Sequence, residues 1–153
     1  MRIWIDADSC PRQVREIVAR ASQRKGIAAI FVANRAIPVT PAETVHLITV
    51  GPGEGSADDY IYGHSEATDL VVTRDIPLAA RLIERDMRVL NDRGDLYTRE
   101  NIRERLSVRD FMHELRANGL VPEKTKHFGQ REIKRFADAF DRELSLLRRD
   151  FRP

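Results

Sequence analysis

Residues 2–26, RIWIDADSCPRQVREIVARASQRKG, change hydrophobic period at residue 6. Before it Ile3, Trp4 and Ile5 are adjacent, the pattern of a short strand buried on both faces. After Cys10 the apolar residues fall at Val14, Ile17, Val18 and Ala21, one face of a helix, with Pro11 in its first turn and Gly26 at its end. A buried strand running straight into an amphipathic helix predicts a parallel sheet with right-handed crossovers. Asp6 and Asp8 stand at the junction, where a strand end delivers side chains to the edge of such a sheet.

The pattern repeats downstream. IAAIFVAN (27–34) and VHLITVG (45–51) are continuous apolar runs of the kind buried on both faces, and GPGEGS (51–56) is turn-rich. ADDYIYGHSEA (57–67) puts Tyr60, Ile61 and His64 on one helical face. DLVVTRD (69–75) reads as a strand, IPLAARLIERD (76–86) as a helix and MRVLND (87–92) as a strand. Beyond them lie two helical patterns, 98–119 with Phe111, Met112 and Leu115, and 129–149 with Ile133, Phe136, Ala137, Phe140 and Leu144. The loop LVPEKTKHF (120–128) separates them. The expectation is one three-layer α/β domain over 1–153: a mostly parallel sheet of four to five strands within 1–100, and a helical C-terminal extension over 101–153.

An apolar fraction of 42% and a charged fraction of 33% are those of a globular protein, and no window approaches the ~18 apolar residues of a membrane span. Cys10 is the only cysteine, so no disulfide can form within the chain. With a strand already starting at residue 3, the expected setting is cytoplasmic. The net charge of +2 is uneven. Residues 1–100 hold 13 Lys/Arg against 15 Asp/Glu, and residues 101–153 hold 13 against 9. A basic flank beside an acidic centre suits an anionic polymer held near a metal-binding pocket, and equally an Arg-rich surface helix.

The strand ends supply the candidate chemistry. Asp6 and Asp8 follow the first strand, Asp58 and Asp59 the third and its Gly-rich loop, Asp75 the fourth, and Asn91 and Asp92 the last. Carboxylates gathered at one sheet edge repel one another unless a cation is shared. Oxygen ligands without a cysteine or histidine pair favour Mg²⁺ or Mn²⁺ over zinc. Such a site activates water and neutralises a phosphodiester. The competing explanation is helix capping: Asp8 or Ser9 for the first helix, Ser56 with Asp59 as an S-x-x-D capping box, and Asp75 ahead of Pro77. Capping leaves Asp6 and Asp58 unexplained.

The other polar residues offer less. His46, His64, His113 and His127 lack ligand spacing, Cys10 has no histidine partner in view, and GPGEG lacks the Lys-Ser/Thr ending of a phosphate loop. Arg74, Lys124, Lys126 and Arg131 are candidates for phosphate contacts.

IWIDADSCP, SADDYI, DLVVTRDIPLAARLIE, LNDRGDLYT, IRERLSVRDFMHELRANG and FGQREIKRFADAFDREL together resemble the bacterial YaiI/YqxD family over nearly the whole chain. That family in turn resembles the PIN-like superfamily of metal-dependent nucleases, whose parallel sheet gathers acids at its carboxyl edge. The resemblance implies Mg²⁺ or Mn²⁺ ligands at Asp6, Asp58 and Asp75, with Asp8 in the family's D-A-D pattern, and RNA as substrate. It lends nothing to Asp92, because the family commonly reads N-P-R-G where this chain reads NDRG, nor to an acid near Gly55 that some members carry. Two further readings stay open: a PIN-like domain that binds RNA or a partner without turnover, and a haloacid-dehalogenase-like phosphatase with Asp6 as nucleophile and Asp8 as general acid.

Overall fold

A computed structural model of the chain describes residues 1–53, 55–121 and 127–151. Its strands are β1 (Ile3–Asp6), β2 (Ala29–Ala33), β3 (Val45–Thr49), β4 (Leu70–Val72), β5 (Arg88–Leu90) and β6 (Leu96–Tyr97). Its α-helices are α1 (Arg12–Lys25), α2 (Ser56–His64), α3 (Ile76–Glu84), α4 (Arg99–Ala117) and α5 (Gln130–Asp150), and a 3₁₀ turn (Ala7–Ser9) follows β1. The sheet order is β3-β2-β1-β4-β5-β6, with β5–β6 antiparallel and every other pair parallel.

Alternation along the central strands divides the core in two. Ile3 and Ile5 of β1, Phe31 of β2 and Val72 of β4 face a layer made by Val14 and Val18 of α1 and by Phe136, Phe140 and Leu144 of α5. Trp4, Ile30, Val32 and Val71 face the opposite way, onto Ile61 of α2 and Leu78, Leu82 and Ile83 of α3. The three-layer α/β reading holds, and α5 supplies half of one layer. Phe136 and Phe140 stack with ring centroids 5.4 Å apart, and the buried carboxylate of Glu143 pairs with Arg88 of β5.

Three sequence expectations change. The sheet has six strands, because β6 is two residues long and no periodicity can register in two residues. It is made by the turn at 91–95, where Asn91 Oδ1 accepts the backbone N–H groups of Arg93 (2.9 Å) and Asp95 (2.9 Å). That turn presses on α5 so closely that a Cβ at Gly94 (φ 86°) would lie 2.6 Å from the Arg135 carbonyl oxygen. β3 is a sheet edge and Leu47 is exposed, although its apolar run reads as doubly buried. As the sequence leads one to expect, the β2–β3 crossover, residues 34–44, contains no helix, and its Ile37, Val39 and Ala42 pack on the α1 layer.

The third change concerns α4. It packs on α3, outside the second layer, so Phe111 is 60% exposed and Met112 and Leu115 are only half-buried. The loop expected at 120–128 falls mostly on residues 122–126, outside the described residues, as does residue 54 of the Gly-rich loop.

Phe140→Ala should cost about 3–5 kcal/mol in urea unfolding, the usual cost of emptying a filled aromatic site. Phe111→Ala, on the outer helix, should change stability by less than about 0.5 kcal/mol. The pair of measurements checks which C-terminal helix belongs to the core.

Candidate functional site

The chain runs outward from β1 in both directions, to β2 and β3 on one side and to β4, β5 and β6 on the other. Such a reversal leaves a crevice at the carboxyl ends of the two strands flanking it, here β1 and β4. An open pocket of about 410 Å³ lies there. Asp6, Asp8, Asp58 and Asp75 all line it, together with Arg74 and Arg109.

Asp6 ends β1 and is 5% exposed. Its Oδ2 accepts hydrogen bonds from Thr73 Oγ1 at the end of β4 (2.9 Å) and from Ser9 Oγ (3.2 Å). Burial pushes its pKa up, the bonds from Thr73 and Ser9 pull it down, and the charges of Asp75 and Asp8 push it up again. Asp75 caps α3, its Oδ1 accepting the Leu78 N–H at 2.9 Å, as its sequence context predicts. Asp58 lies in the first turn of α2 with its carboxyl against that of Asp75. Burial, a hydrogen bond to Asp75, and the charges of Asp75, Asp6 and Asp59 push Asp58 up to about 8. Asp58 therefore keeps its proton to a higher pH than an ordinary carboxyl does.

The capping assignments hold for Asp75 alone. Asp8 is exposed and its Oδ2 accepts the Asn34 N–H at 2.7 Å, joining the ends of β1 and β2, while Ser9 donates to Asp6. α1 has Pro11 at its cap position and no side-chain cap, because the 3₁₀ turn at 7–9 holds Asp8 and Ser9 apart from the helix. Ser56 is already the first residue of α2. The cap position belongs to Gly55 at φ 77°, a conformation costly for serine, so the S-x-x-D capping box does not form. Asp59 instead pairs with Arg81 at 3.1 Å.

Asn91 and Asp92 organise rather than line the pocket. Asn91 shapes the 91–95 turn. Asp92, 3% exposed, holds Arg74 at 2.5 Å, and this hydrogen bond raises the arginine's pKa further. Arg131 is exposed in the first turn of α5 and does not line the pocket; Lys124 and Lys126 lie outside the described residues. Sequence reasoning missed two residues. Thr73 was legible as the polar residue following Leu-Val-Val in a strand. Arg109 carried no signal, since it reaches the pocket from α4, a helix distant in sequence. Cys10 is buried and its thiol is pushed up by that burial and by Asp92, which argues against a nucleophilic thiolate.

Among the described residues no three His, Cys, Asp or Glu side chains are grouped closely enough to hold a metal ion as they stand. Asp6 is engaged with Thr73 and Ser9, and Asp58 with Asp75. The donor chemistry nevertheless fits a hard cation: all the donors are oxygens, and a cation would relieve the carboxylate repulsion that helps raise Asp58. Among the described residues, no helix is long and apolar enough to cross a membrane.

The sequence profile described as "Uncharacterized BCR, YaiI/YqxD family" matches residues 4–146. The chain belongs to the YaiI/YqxD family. Its relatives include a UPF0178 protein of Treponema pallidum, 52% identical over 97% of this chain and 84% of the relative. A UPF0178 protein of Geobacter metallireducens is 49% identical over 100% of this chain and 99% of the relative. No solved structure matches the chain. In this YaiI/YqxD protein the D-A-D motif is divided between two tasks, with Asp6 bonded to β4 and Asp8 bonded to the end of β2.

The raised Asp58 pKa carries a stability consequence. A carboxyl whose folded pKa lies above its unfolded value of 3.8 binds more protons when folded, so stability falls as pH rises from about 4 to about 8. Asp58→Asn should remove part of that slope and raise the Tm at pH above about 8 by roughly 2–4 °C, the shift that ~1 kcal/mol makes at this chain length. Thermal unfolding of both proteins across this pH range checks it.

Proposed function

We propose that this protein is a PIN-like, Mg²⁺- or Mn²⁺-dependent nuclease that hydrolyses phosphodiester bonds in RNA. The observation carrying the proposal is the convergence of Asp6, Asp58 and Asp75 on one open pocket from three separate strand-to-helix connections, with Arg74 and Arg109 beside them. Helix capping accounts for one of those three acids. The lone buried thiol of Cys10 is compatible with a reducing cytoplasm.

When bound, Mg²⁺ or Mn²⁺ supplies an acidified water and positive charge for the phosphodiester oxygens. Asp58 and Asp75 would hold the ion, Asp58 after losing its proton. Asp6 keeps Oδ2 on Thr73 and Ser9, which orients its carboxylate and leaves Oδ1 without a protein partner among the described residues. Asp8 braces the pocket wall through Asn34. Arg74, held by Asp92, and Arg109 offer N–H donors to phosphate oxygens.

The pairing of Asp58 with Asp75 also favours a second reading, a PIN-like domain that binds RNA or a partner without turnover. The phosphatase reading draws on the D-x-D order alone: among the described residues the pocket's cations are arginines, and no lysine lines it.

Purified protein should cleave single-stranded RNA with Mn²⁺ or Mg²⁺ and not with EDTA, and Asp6→Asn should lose cleavage by at least ~10²-fold while retaining its circular dichroism. RNA binding without cleavage under either ion would select the second reading; capture of a phosphoenzyme on Asp6 would select the phosphatase. Because Mn²⁺ competes with one proton, its apparent affinity should strengthen about tenfold per pH unit below about 8. Calorimetric titration at several pH values reads this slope.

A further inference from the structure

A second cavity of about 490 Å³ lies between α1 and the β2–β3 crossover. Arg12, Arg15 and Arg20 line its helical side, and Pro38 and Val39 its other side. Glu16 is its one acid, and it lies between Arg12 (3.0 Å) and Arg20 (3.7 Å) along the helix. The groove therefore keeps an excess of positive charge over about 12 Å of helix. Arg15 adds a separate observation. Its Nε is the one buried side-chain nitrogen or oxygen among the described residues that has no hydrogen-bond partner. A buried donor left unpaired is costly, and an anionic oxygen entering the groove would satisfy it.

The groove and the carboxylate pocket share no lining residue, but the chain links them on two sides. On one wall Asp8 and Ser9 of the pocket lead through Pro11 to Arg12. On the other, Asn34 of the pocket, bonded to Asp8, leads into the segment carrying Pro38 and Val39. A chain extending from the pocket along this path meets arginines on one side and an apolar wall on the other. That suits a single strand, with charged phosphates and apolar faces of sugar and base.

We infer that the groove between α1 and residues 34–44 holds the phosphodiester backbone of the RNA strand leaving the carboxylate pocket, with Arg12, Arg15 and Arg20 as its phosphate contacts. The inference rests on the nuclease reading for its ligand and adds a binding track on the side of the sheet opposite α4. It moves the main phosphate contacts from the basic C-terminal third to the first helix.

The test is binding of a fluorescein-labelled oligouridylate, followed by anisotropy in EDTA across a salt series, so that no cleavage is required. Arg12→Ala/Arg15→Ala/Arg20→Ala should weaken binding about tenfold or more and lower the slope of log affinity against log salt by about 2, the value for three phosphates on a single strand. A control with the same charge change, Arg24→Ala/Arg103→Ala/Arg148→Ala on exposed residues elsewhere, should leave the slope unchanged. Arg15→Lys, which keeps the charge and loses the guanidinium fork, should weaken binding by less than the triple variant.

Equal losses in the two triple variants, no loss in the first, or no binding by the unsubstituted protein would overturn the track. Displacement of the probe by inorganic phosphate or polyglutamate as readily as by unlabelled oligouridylate would overturn it in favour of a small-anion or acidic-peptide site. If the triple variant does not fold, Arg15→Gln alone decides by the same readout. Failure of the nuclease reading is separate, since it is read as absent cleavage with Mn²⁺ by a protein that binds normally in EDTA.

Discussion

The hydrogen bond from Thr73 to Asp6 joins the carboxyl ends of β1 and β4, the two strands between which the chain reverses its direction across the sheet. Both strands are buried on both faces, and Asp6 is therefore a carboxylate at the end of an apolar strand with almost no water around it. Such a group persists only if its oxygens are bonded. Thr73 and Ser9 do this on one oxygen, and in doing so they hold the floor of the pocket in register with the strands that form it. The positions of Asp75, two residues beyond Thr73, and of Asp58 opposite it follow from that frame.

The remaining acids are arranged at a cost. The charges of Asp75 and Asp6 raise the proton affinity of Asp58, and that of Asp75 raises Asp6's, and a fold selected for stability alone would not bring them together. The surrounding ion pairs do the opposite work. Asp92 with Arg74, Glu143 with Arg88, and Asp69 with Arg2 each bury a carboxylate that a cation satisfies. Asp69 also accepts from Trp4 Nε1 and from the backbone of Arg2 and Glu66, so it anchors the amino end of β1 as thoroughly as Asp6 marks the other. These carboxylates are satisfied by cations, whereas Asp58 in the pocket meets another carboxyl, that of Asp75.

Much of this was legible in order along the chain. The change of period at residue 6, the apolar runs at 27–34 and 69–72, and the helical stripe ending in Leu144 all reappear as β1, β2, β4 and α5, because burial on both sheet faces leaves few polar choices. The four acids that line the pocket were legible from their places after strands. Their partners were not. Ser9 and Asp8 look like caps, since a cap and a cross-strand bond need the same short polar side chain; only the 3₁₀ turn at 7–9 decides between them. Phe111 reads as core because its spacing is helical, yet spacing reports a stripe and not whether a neighbour covers it.

By itself, the sequence determined the α/β class, the central strands and the acids carried to their carboxyl ends, since these depend on local period and on residue type at a boundary. The tertiary structure alone decided that β3 is an edge, that Gly94 packs against α5, that Asp58 meets Asp75, and that Arg109 reaches a pocket otherwise lined by residues 6–76. Each of these is a contact between segments distant in sequence. Strand order and helix docking set such contacts, and neither is written in the spacing of any one segment.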